Sequence, residues 1–183
     1  MKENFFITGY PRSRTAWLSV LLTTKNSFCY HEVLRFSETI SNVKNLMSER
    51  DEFYVGSSGS DCLLFMEDII FEKENTPIVV IERNIKSVNK SLRGIFDEYD
   101  TEVLESIRDG LEVVKTIPGA ISVNYKDLDK QKTIKRIWEH CLPSIPFDKE
   151  RWQILKTLNI SIDKKRYMKS LTKKTIQTIN NSL

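Results

Sequence analysis

The sequence lacks long apolar runs and closely spaced cysteines. No stretch of its 183 residues approaches the roughly 18 consecutive apolar residues of a membrane-spanning helix, while a hydrophobic content of 40% suits a globular protein. The three cysteines, Cys29, Cys62 and Cys141, are widely separated, and no C-x-x-C pair is present. This usage favours reduced core thiols over disulfides and provides no zinc-site spacing. We predict a single domain over residues 1–183, with no metal and no membrane partner.

The sequence also has little net charge. Lys and Arg number 28 against 25 Asp and Glu, which gives a formal net charge of +3. That excess does not indicate a nucleic-acid-binding protein, so no nucleic-acid partner is expected. Residues 160–183 form a basic C-terminal segment, and such a run is usually a solvated face. Because Lys2, Glu3 and Asn4 lead almost at once into a predicted core strand, no secretory signal is predicted and we expect a cytoplasmic protein.

Two common nucleotide-binding motifs are absent. The loop of ATP- and GTP-binding proteins has the form G-x-x-x-x-G-K-[ST], with a lysine for the outer phosphates. Counting from Gly9 places Arg14 at the second glycine and Thr15 at the lysine. The dinucleotide fingerprint G-x-G-x-x-G is missing as well. The sequence therefore disfavours an ordinary nucleoside triphosphatase.

Residues 6–17 nevertheless predict an anion site. They form a short apolar run, a basic and hydroxyl-rich turn, and then the start of a helix. Backbone N–H groups at a helix start have no intrahelical partners and lie at the positive end of the helix dipole. Arg12 and Arg14 add positive charge, and Ser13 and Thr15 add hydroxyl donors. This arrangement is typical of a phosphate-binding turn.

A second basic position follows another predicted strand. Residues 78–82 are rich in β-branched side chains, Arg83 comes directly after them, and a helical pattern begins. The apolar positions Ile85, Val88, Leu92 and Ile95 have helical spacing, which leaves Ser87 and Ser91 off the buried face.

Predicted strands alternate with predicted helices along the chain, as in β-α units. We predict an α/β protein, a three-layer sandwich with a central parallel sheet. The strands are predicted at residues 4–8, 27–30, 53–57, 77–82 and 120–124, and the helices near 13–23, 36–50, 61–73, 86–96, 100–116, 131–142 and 148–158. In such sheets, ligands bind at the carboxyl ends of the strands, where both basic positions fall.

The first turn resembles the 5'-phosphosulfate loop of the sulfotransferases, whose pattern is roughly T-x-P-[KR]-S-G-T-x-W. The corresponding residues are Thr8, Pro11, Arg12, Ser13, Arg14, Thr15 and Trp17. The second segment resembles the family's 3'-phosphate motif, an arginine followed eight residues later by a serine, here Arg83 and Ser91, with Asn84 also matching. Val-Asn-Tyr-Lys-Asp-Leu at 123–128 resembles the family's strand followed by Tyr-Glu-Asp-Leu. The resemblance covers about the first 130 residues and implies a P-loop NTPase-like sulfotransferase fold.

The resemblance implies that 3'-phosphoadenosine 5'-phosphosulfate (PAPS) is the sulfuryl donor and that no metal is required. The implied donor-binding residues are Arg12, Ser13, Arg14, Thr15, Ala16, Trp17, Arg83, Ser91 and Tyr125. Arg12 would stabilise the leaving oxygen. Arg14 replaces a usual glycine and either points away or binds phosphate itself; we favour the second. Trp17 either packs on adenine or belongs to the core. The family's C-terminal Arg-Lys-Gly segment is not found.

A general base is expected after the second strand. The family uses a histidine or a glutamate, and the candidates are His31, with the more suitable intrinsic pKa, and Glu32, the nearer positional match. Arg35 is a candidate for binding an anionic acceptor group, whereas His140 is interpreted as structural. The glycine- and serine-rich turn at residues 56–61 either lines an acceptor pocket or provides Ser60 and Asp61 as caps of the next helix, and capping is favoured.

The sequence thus predicts a small sulfotransferase that acts on a hydroxyl or amine of a small-molecule, carbohydrate or peptide acceptor. Two alternatives stay open. One is a nucleotide or small-molecule kinase with a degenerate phosphate loop. The other is a catalytically inactive nucleotide-binding module.

Overall fold

A five-stranded parallel sheet forms the centre of the fold. The structure is a computed structural model, and it describes residues 2–37, 39–65, 75–95 and 101–158. The strands are β1 (Glu3–Gly9), β2 (Ser27–His31), β3 (Tyr54–Ser58), β4 (Ile78–Glu82) and β5 (Ala120–Asn124). Their order is β2-β3-β1-β4-β5. Their β-branched and aromatic residues suit strands that are covered on both faces.

Strand pairing brings the carboxyl ends of all five strands to one edge of the sheet. His31 of β2 pairs with Ser58 of β3, and Gly9 of β1 pairs with Ile81 of β4. At the other side of β4, Glu82 pairs with Asn124 of β5. The turns that follow β1, β2, β4 and β5 therefore meet at this edge, where ligands bind in parallel sheets.

Helices cover both faces of the sheet. They are α1 (Thr15–Leu22), α2 (Ile40–Glu49), α3 (Ile85–Arg93), α4 (Thr101–Lys115), α5 (Gln131–Cys141) and α6 (Lys149–Lys156). Helices α1, α5 and α6 pack on one face in what we call the α1 core, and α2, α3 and α4 pack on the other in the α2 core. Successive side chains of a strand point to opposite faces, so Phe5 and Ile7 enter the α1 core while Phe6 enters the α2 core. The predicted three-layer α/β fold is confirmed.

Two predicted helices differ from those observed. The helix predicted at 36–50 begins later, at Ile40, because Thr39 caps it by accepting a hydrogen bond from the Asn42 amide at 3.2 Å. The chain before it forms a separate 3-10 turn, Val33–Phe36. Of the helix predicted at 61–73, the described part is a 3-10 segment, Ser60–Leu64, and residues 66–74 lie outside the described residues. The basic segment at 160–183 also lies outside them.

Close packing fixes two details of the interior. Gly56 of β3 has no room for a side chain, since an added Cβ would lie 2.3 Å from the Phe5 ring. The three cysteines are free and buried, Cys29 and Cys141 in the α1 core and Cys62 in the α2 core. The prediction of reduced core thiols is confirmed.

Within the part of the chain that the structure describes, every helix falls short of the length and apolar content of a membrane span.

Candidate functional site

The turn between β1 and α1 presents backbone N–H groups at the sheet edge. Arg12 (φ 69°) and Arg14 (φ 63°) both have left-handed backbones, which tighten the turn before α1 begins at Thr15. The first intrahelical amide bond runs from Leu18 to the carbonyl of Arg14 at 3.0 Å. The amides of Thr15, Ala16 and Trp17 therefore have no carbonyl of their own helix to bind. These groups and the helix dipole favour an anion at this position.

A cleft of about 780 Å³ opens directly over this turn, and we call it the edge cleft. Most of the residues predicted to bind or react with substrate line it, namely Arg12, Arg14, Thr15, Ala16, Trp17, His31, Glu32, Arg83, Ser91 and Tyr125. Arg35 and Ser60 also line it. The structure thus brings together residues from the turns after β1, β2, β4 and β5.

Arg83 and Ser91 contact the turn after β1 directly. Arg83 Nη1 donates a hydrogen bond to the carbonyl oxygen of Arg12. Arg12 Nε donates to the Ser91 hydroxyl at 3.4 Å. The Arg83 guanidinium carbon also lies 4.1 Å from the centroid of the Tyr125 ring, a cation–π contact. Both predicted phosphate motifs therefore lie at one cleft, within reach of a single ligand.

Two buried polar groups of the predicted donor site have no hydrogen-bond partner among the described residues. They are the hydroxyl of Ser13 and Nε of Arg83. Buried polar groups are nearly always paired, and Arg83 lines the edge cleft, so its unpaired Nε is consistent with a partner supplied by a ligand. Ser13, in contrast, is fully buried and is not among the described residues that line the edge cleft. Contact between the buried Ser13 hydroxyl and a 5'-phosphate stays a prediction.

Arg14 extends along the cleft toward the turn after β5. Its Nη1 lies 2.6 Å from Oδ1 of Asp129, and its guanidinium carbon lies 5.7 Å from the centroid of the Tyr125 ring. Arg14 has a left-handed backbone, a conformation that glycine adopts without steric cost. Arg14 does not point away from the cleft, and a phosphate contact from its side chain stays a prediction.

His31 and Glu32 line the edge cleft near the start of α1. His31 Nε2 lies 3.4 Å from the Thr15 hydroxyl and 4.0 Å from a carboxylate oxygen of Glu32. Burial lowers the pKa of His31, and the carboxylate of Glu32 opposes that shift only in part. Glu32 has a left-handed backbone (φ 53°), and its carboxylate forms an ion pair with Arg35. The imidazole is therefore held in its neutral form near pH 7, as a proton acceptor must be.

The remaining predicted residues have clear structural contacts. The indole N–H of Trp17 donates to the carbonyl of Leu155 at 2.8 Å, and only 6% of Trp17 is exposed, so it belongs to the α1 core while one part lines the cleft. Packing on adenine stays a prediction for that part. His140 Nε2 lies 2.8 Å from the carbonyl oxygen of Gly119, away from the cleft, which agrees with a structural role.

The favoured capping interpretation for Ser60 and Asp61 is wrong. The cap position of the 3-10 segment is Gly59, which makes no side-chain cap hydrogen bond. Asp61 instead accepts a hydrogen bond from the amide of Leu34 at 3.1 Å and so fixes the 3-10 turn after β2. Ser60 lines the edge cleft, and the alternative interpretation, that this loop lines an acceptor pocket, stays a prediction.

The cleft is strongly positive. Its lining includes five cationic side chains and two carboxylates among the described residues: Arg12, Arg14, Arg35, Arg83 and Lys156, with Glu32 and Asp129. Asp129 and Lys156 were not predicted from the sequence, where each is one of many similar charged residues. The excess of positive charge favours a polyanionic ligand.

No protein-family model and no curated protein matches this sequence. Among solved structures, the fold is similar to a sulfotransferase domain from the curacin biosynthetic pathway, with a TM-score of 0.54 and 14% sequence identity. The similarity covers 87% of this chain and 79% of that chain. At this identity the comparison shows a shared fold.

Proposed function

We propose that this chain is a sulfotransferase that transfers the sulfuryl group of PAPS to a hydroxyl or amine acceptor. The observation that carries the proposal is the contact of Arg12 with Ser91 and of Arg83 with the Arg12 carbonyl. These contacts join the two predicted phosphate-binding motifs at one positive cleft. A donor with separate 5' and 3' phosphate groups suits such a pair of sites. The shared fold with a sulfotransferase domain supports the same assignment.

In the proposed reaction, an acceptor oxygen or nitrogen attacks the sulfur atom. A new bond to sulfur forms as the bond between sulfur and the bridging phosphate oxygen breaks, and the acceptor proton passes to a base. Negative charge grows on the leaving phosphate. We expect Arg12 and the amides at the start of α1 to stabilise that charge, and Arg83 and Ser91 to hold the 3'-phosphate. Adenosine 3',5'-bisphosphate is the other product.

We assign the proton-accepting role to His31 and a supporting role to Glu32. His31 is neutral near pH 7 because burial lowers its pKa, and it lies beside Thr15 at the start of α1. A neutral imidazole accepts a proton efficiently in this pH range. Glu32, 4.0 Å away, would stabilise the imidazolium that forms. The acceptor is a small molecule, carbohydrate or peptide whose nucleophile reaches the cleft beside His31.

Thermal shift measurements test donor binding. Adenosine 3',5'-bisphosphate should raise the melting temperature, whereas AMP should have a smaller effect because it lacks the 3'-phosphate. A kinase with a degenerate loop would instead respond best to ATP with magnesium. A preference for ATP, or no response to the bisphosphate, would overturn the proposal.

Variants of the two basic motifs test the roles of individual residues. Arg83→Ala should weaken bisphosphate binding about 10- to 100-fold, because it removes a charged partner of the 3'-phosphate. Arg93→Ala is the matched control, since Arg93 is exposed on α3 and does not line the cleft. Arg12→Ala should lower the rate of sulfuryl transfer by about 10² to 10³.

Turnover separates an enzyme from an inactive binding module. Release or transfer of sulfate from PAPS should fall in His31→Gln and Glu32→Ala, while bisphosphate binding is retained. Bisphosphate binding without any turnover, across hydroxyl and amine acceptors, would favour the inactive module instead.

A further inference from the structure

Two residues that follow β5, Tyr125 and Asp129, contact two of the three arginines proposed to bind phosphate, Arg83 and Arg14. Tyr125 comes directly after the strand, and its ring contacts the guanidinium groups of Arg83 and Arg14 at 4.1 and 5.7 Å from the centroid. Asp129 lies further along the same turn, with Oδ1 2.6 Å from Nη1 of Arg14. Both residues line the edge cleft. One short segment therefore contacts two cations that come from different parts of the chain.

The ring of Tyr125 lies where positively charged side chains repel one another. Burial lowers the pKa of Arg83, and the nearby like charges of Arg12 and Arg14 lower it further. Repulsion would drive the guanidinium groups apart and toward solvent. The negative face of an aromatic ring attracts cations without neutralising them. The Tyr125 ring contacts both Arg83 and Arg14, so it can attract the two guanidinium groups while leaving their charges available to an anion.

The ion pair between Arg14 and Asp129 is one that a bound phosphate could replace. The side chains of Arg14 and Asp129 are 37% and 59% exposed, and ion pairs in such positions contribute little to stability. A phosphate near the start of α1 would offer Arg14 a more highly charged partner, with the helix amides as additional donors to the same anion. Asp129 then acts as a competitor for Arg14.

We propose that Tyr125 and Asp129 are positioning residues for Arg83 and Arg14, with Tyr125 holding the two guanidinium groups at the cleft and Asp129 serving as a counter-ion that the donor displaces from Arg14. The inference rests on the proposed function for the identity of the donor. It predicts opposite effects for the two residues: loss of the Tyr125 ring weakens anion binding, and loss of the Asp129 charge strengthens it. A merely structural role would make both substitutions weaken binding or leave it unchanged.

Calorimetric titration with adenosine 3',5'-bisphosphate tests this inference. Tyr125→Leu should raise Kd about fivefold, whereas Tyr125→Phe, which keeps the ring, should stay within about twofold of the unmodified protein. Asp129→Asn should lower Kd about two- to fivefold, with a matching decrease in the KM for PAPS. Asp127→Asn is the matched control, because Asp127 lies in the same turn, pairs with Lys130 at 2.7 Å and does not line the cleft.

Two results would overturn the inference. One is a Kd for Asp129→Asn that equals or exceeds that of Asp127→Asn. The other is equal affinity in Tyr125→Leu and Tyr125→Phe. If Tyr125→Leu fails to fold, the Kd of Asp129→Asn relative to Asp127→Asn tests the inference by itself. The Asp129 side chain is exposed and can be changed without disturbing the core.

Inorganic pyrophosphate, titrated in parallel, separates this inference from the proposed function. If the protein binds pyrophosphate but not the bisphosphate, the assignment of the donor fails. In that case, the pyrophosphate Kd values still test the positioning roles. A higher Kd for Tyr125→Leu than for Tyr125→Phe, with a lower Kd for Asp129→Asn than for Asp127→Asn, would support these roles, and any other ranking would overturn them. Binding of neither anion would overturn both proposals.

Discussion

At the scale of single residues, burial of His31 makes the folded protein a weaker proton acceptor than the unfolded chain. The pKa of His31 is lowered from 6.5 by desolvation, so the unfolded state binds more protons as the pH falls below that value. Stability therefore decreases with falling pH, and it is fully retained above the unfolded pKa. We expect His31→Gln, which cannot titrate, to lose less stability than the unmodified protein between pH 7.5 and pH 5.

Urea denaturation at the two pH values measures this difference. His140→Gln controls for the other histidine of the chain, which bonds to the Gly119 carbonyl away from the cleft. If the free energy of unfolding decreases equally in the unmodified protein and in His31→Gln, the pKa of His31 is the same in the folded and unfolded states, and the prediction is wrong.

Gly56 is the residue at which added volume should be least tolerated. An added Cβ would lie 2.3 Å from the ring of Phe5, which is fully buried and cannot move aside easily. Gly56→Ala should lower the free energy of unfolding by about 1–3 kcal/mol, measured by urea denaturation. Gly94→Ala is the control, because its Cβ would make only an ordinary contact at 3.5 Å, and a change within about 0.5 kcal/mol is expected. Equal effects would contradict the packing argument.

At the scale of elements, the start of α1 has a strained connection. Arg14 has the left-handed backbone that glycine adopts without steric cost, whereas other residues in this conformation lose about 1–2 kcal/mol. Arg14→Gly and Arg14→Ala both remove the guanidinium group and its pair with Asp129. The glycine variant should nevertheless be about 1 kcal/mol more stable by urea denaturation. Equal stability of the two variants would mean that the turn relaxes when the arginine is removed.

Local pattern was sufficient to predict most elements. The β-branched run of β4 and the helical spacing of Ile134, Ile137, Trp138 and Cys141 in α5 specify their elements without help from distant residues. The 3-10 turn after β2 was missed because its geometry depends on Asp61, which bonds to the Leu34 amide from another segment. Patterns in a single segment carry no information about such a contact.

The same distinction applies to the edge cleft. Arg12 and Arg83 were predicted because each lies in a turn after a strand, and Ser91 because it stands eight residues after Arg83, as in the motif that this segment resembles. The register of a parallel sheet brings the two turns together. Asp129 and Lys156 have no local signature, since their place in the cleft depends on how the chain after β5 and the end of α6 pack. The left-handed backbone of Arg12 was likewise invisible in a sequence without glycine at that position.

At the scale of the whole molecule, the two cores share one sheet and should unfold together. All three tryptophans, Trp17, Trp138 and Trp152, lie in the α1 core, so their fluorescence reports on one layer, whereas far-ultraviolet circular dichroism reports on both. The predicted single domain should give coincident urea curves with the two probes. A separate transition in circular dichroism, with fluorescence unchanged, would show that the α2 core melts independently.

The buried cysteines make thiol labelling a measure of how fast the layers of the fold separate. Burial raises the pKa of all three thiols, and the thiolate is the form that reacts with alkylating reagents. Iodoacetamide should therefore label the native protein only as fast as its layers separate. Since Cys62 lies opposite Cys29 and Cys141 across the sheet, mass spectrometry of the labelled peptides would reveal which layer separates first.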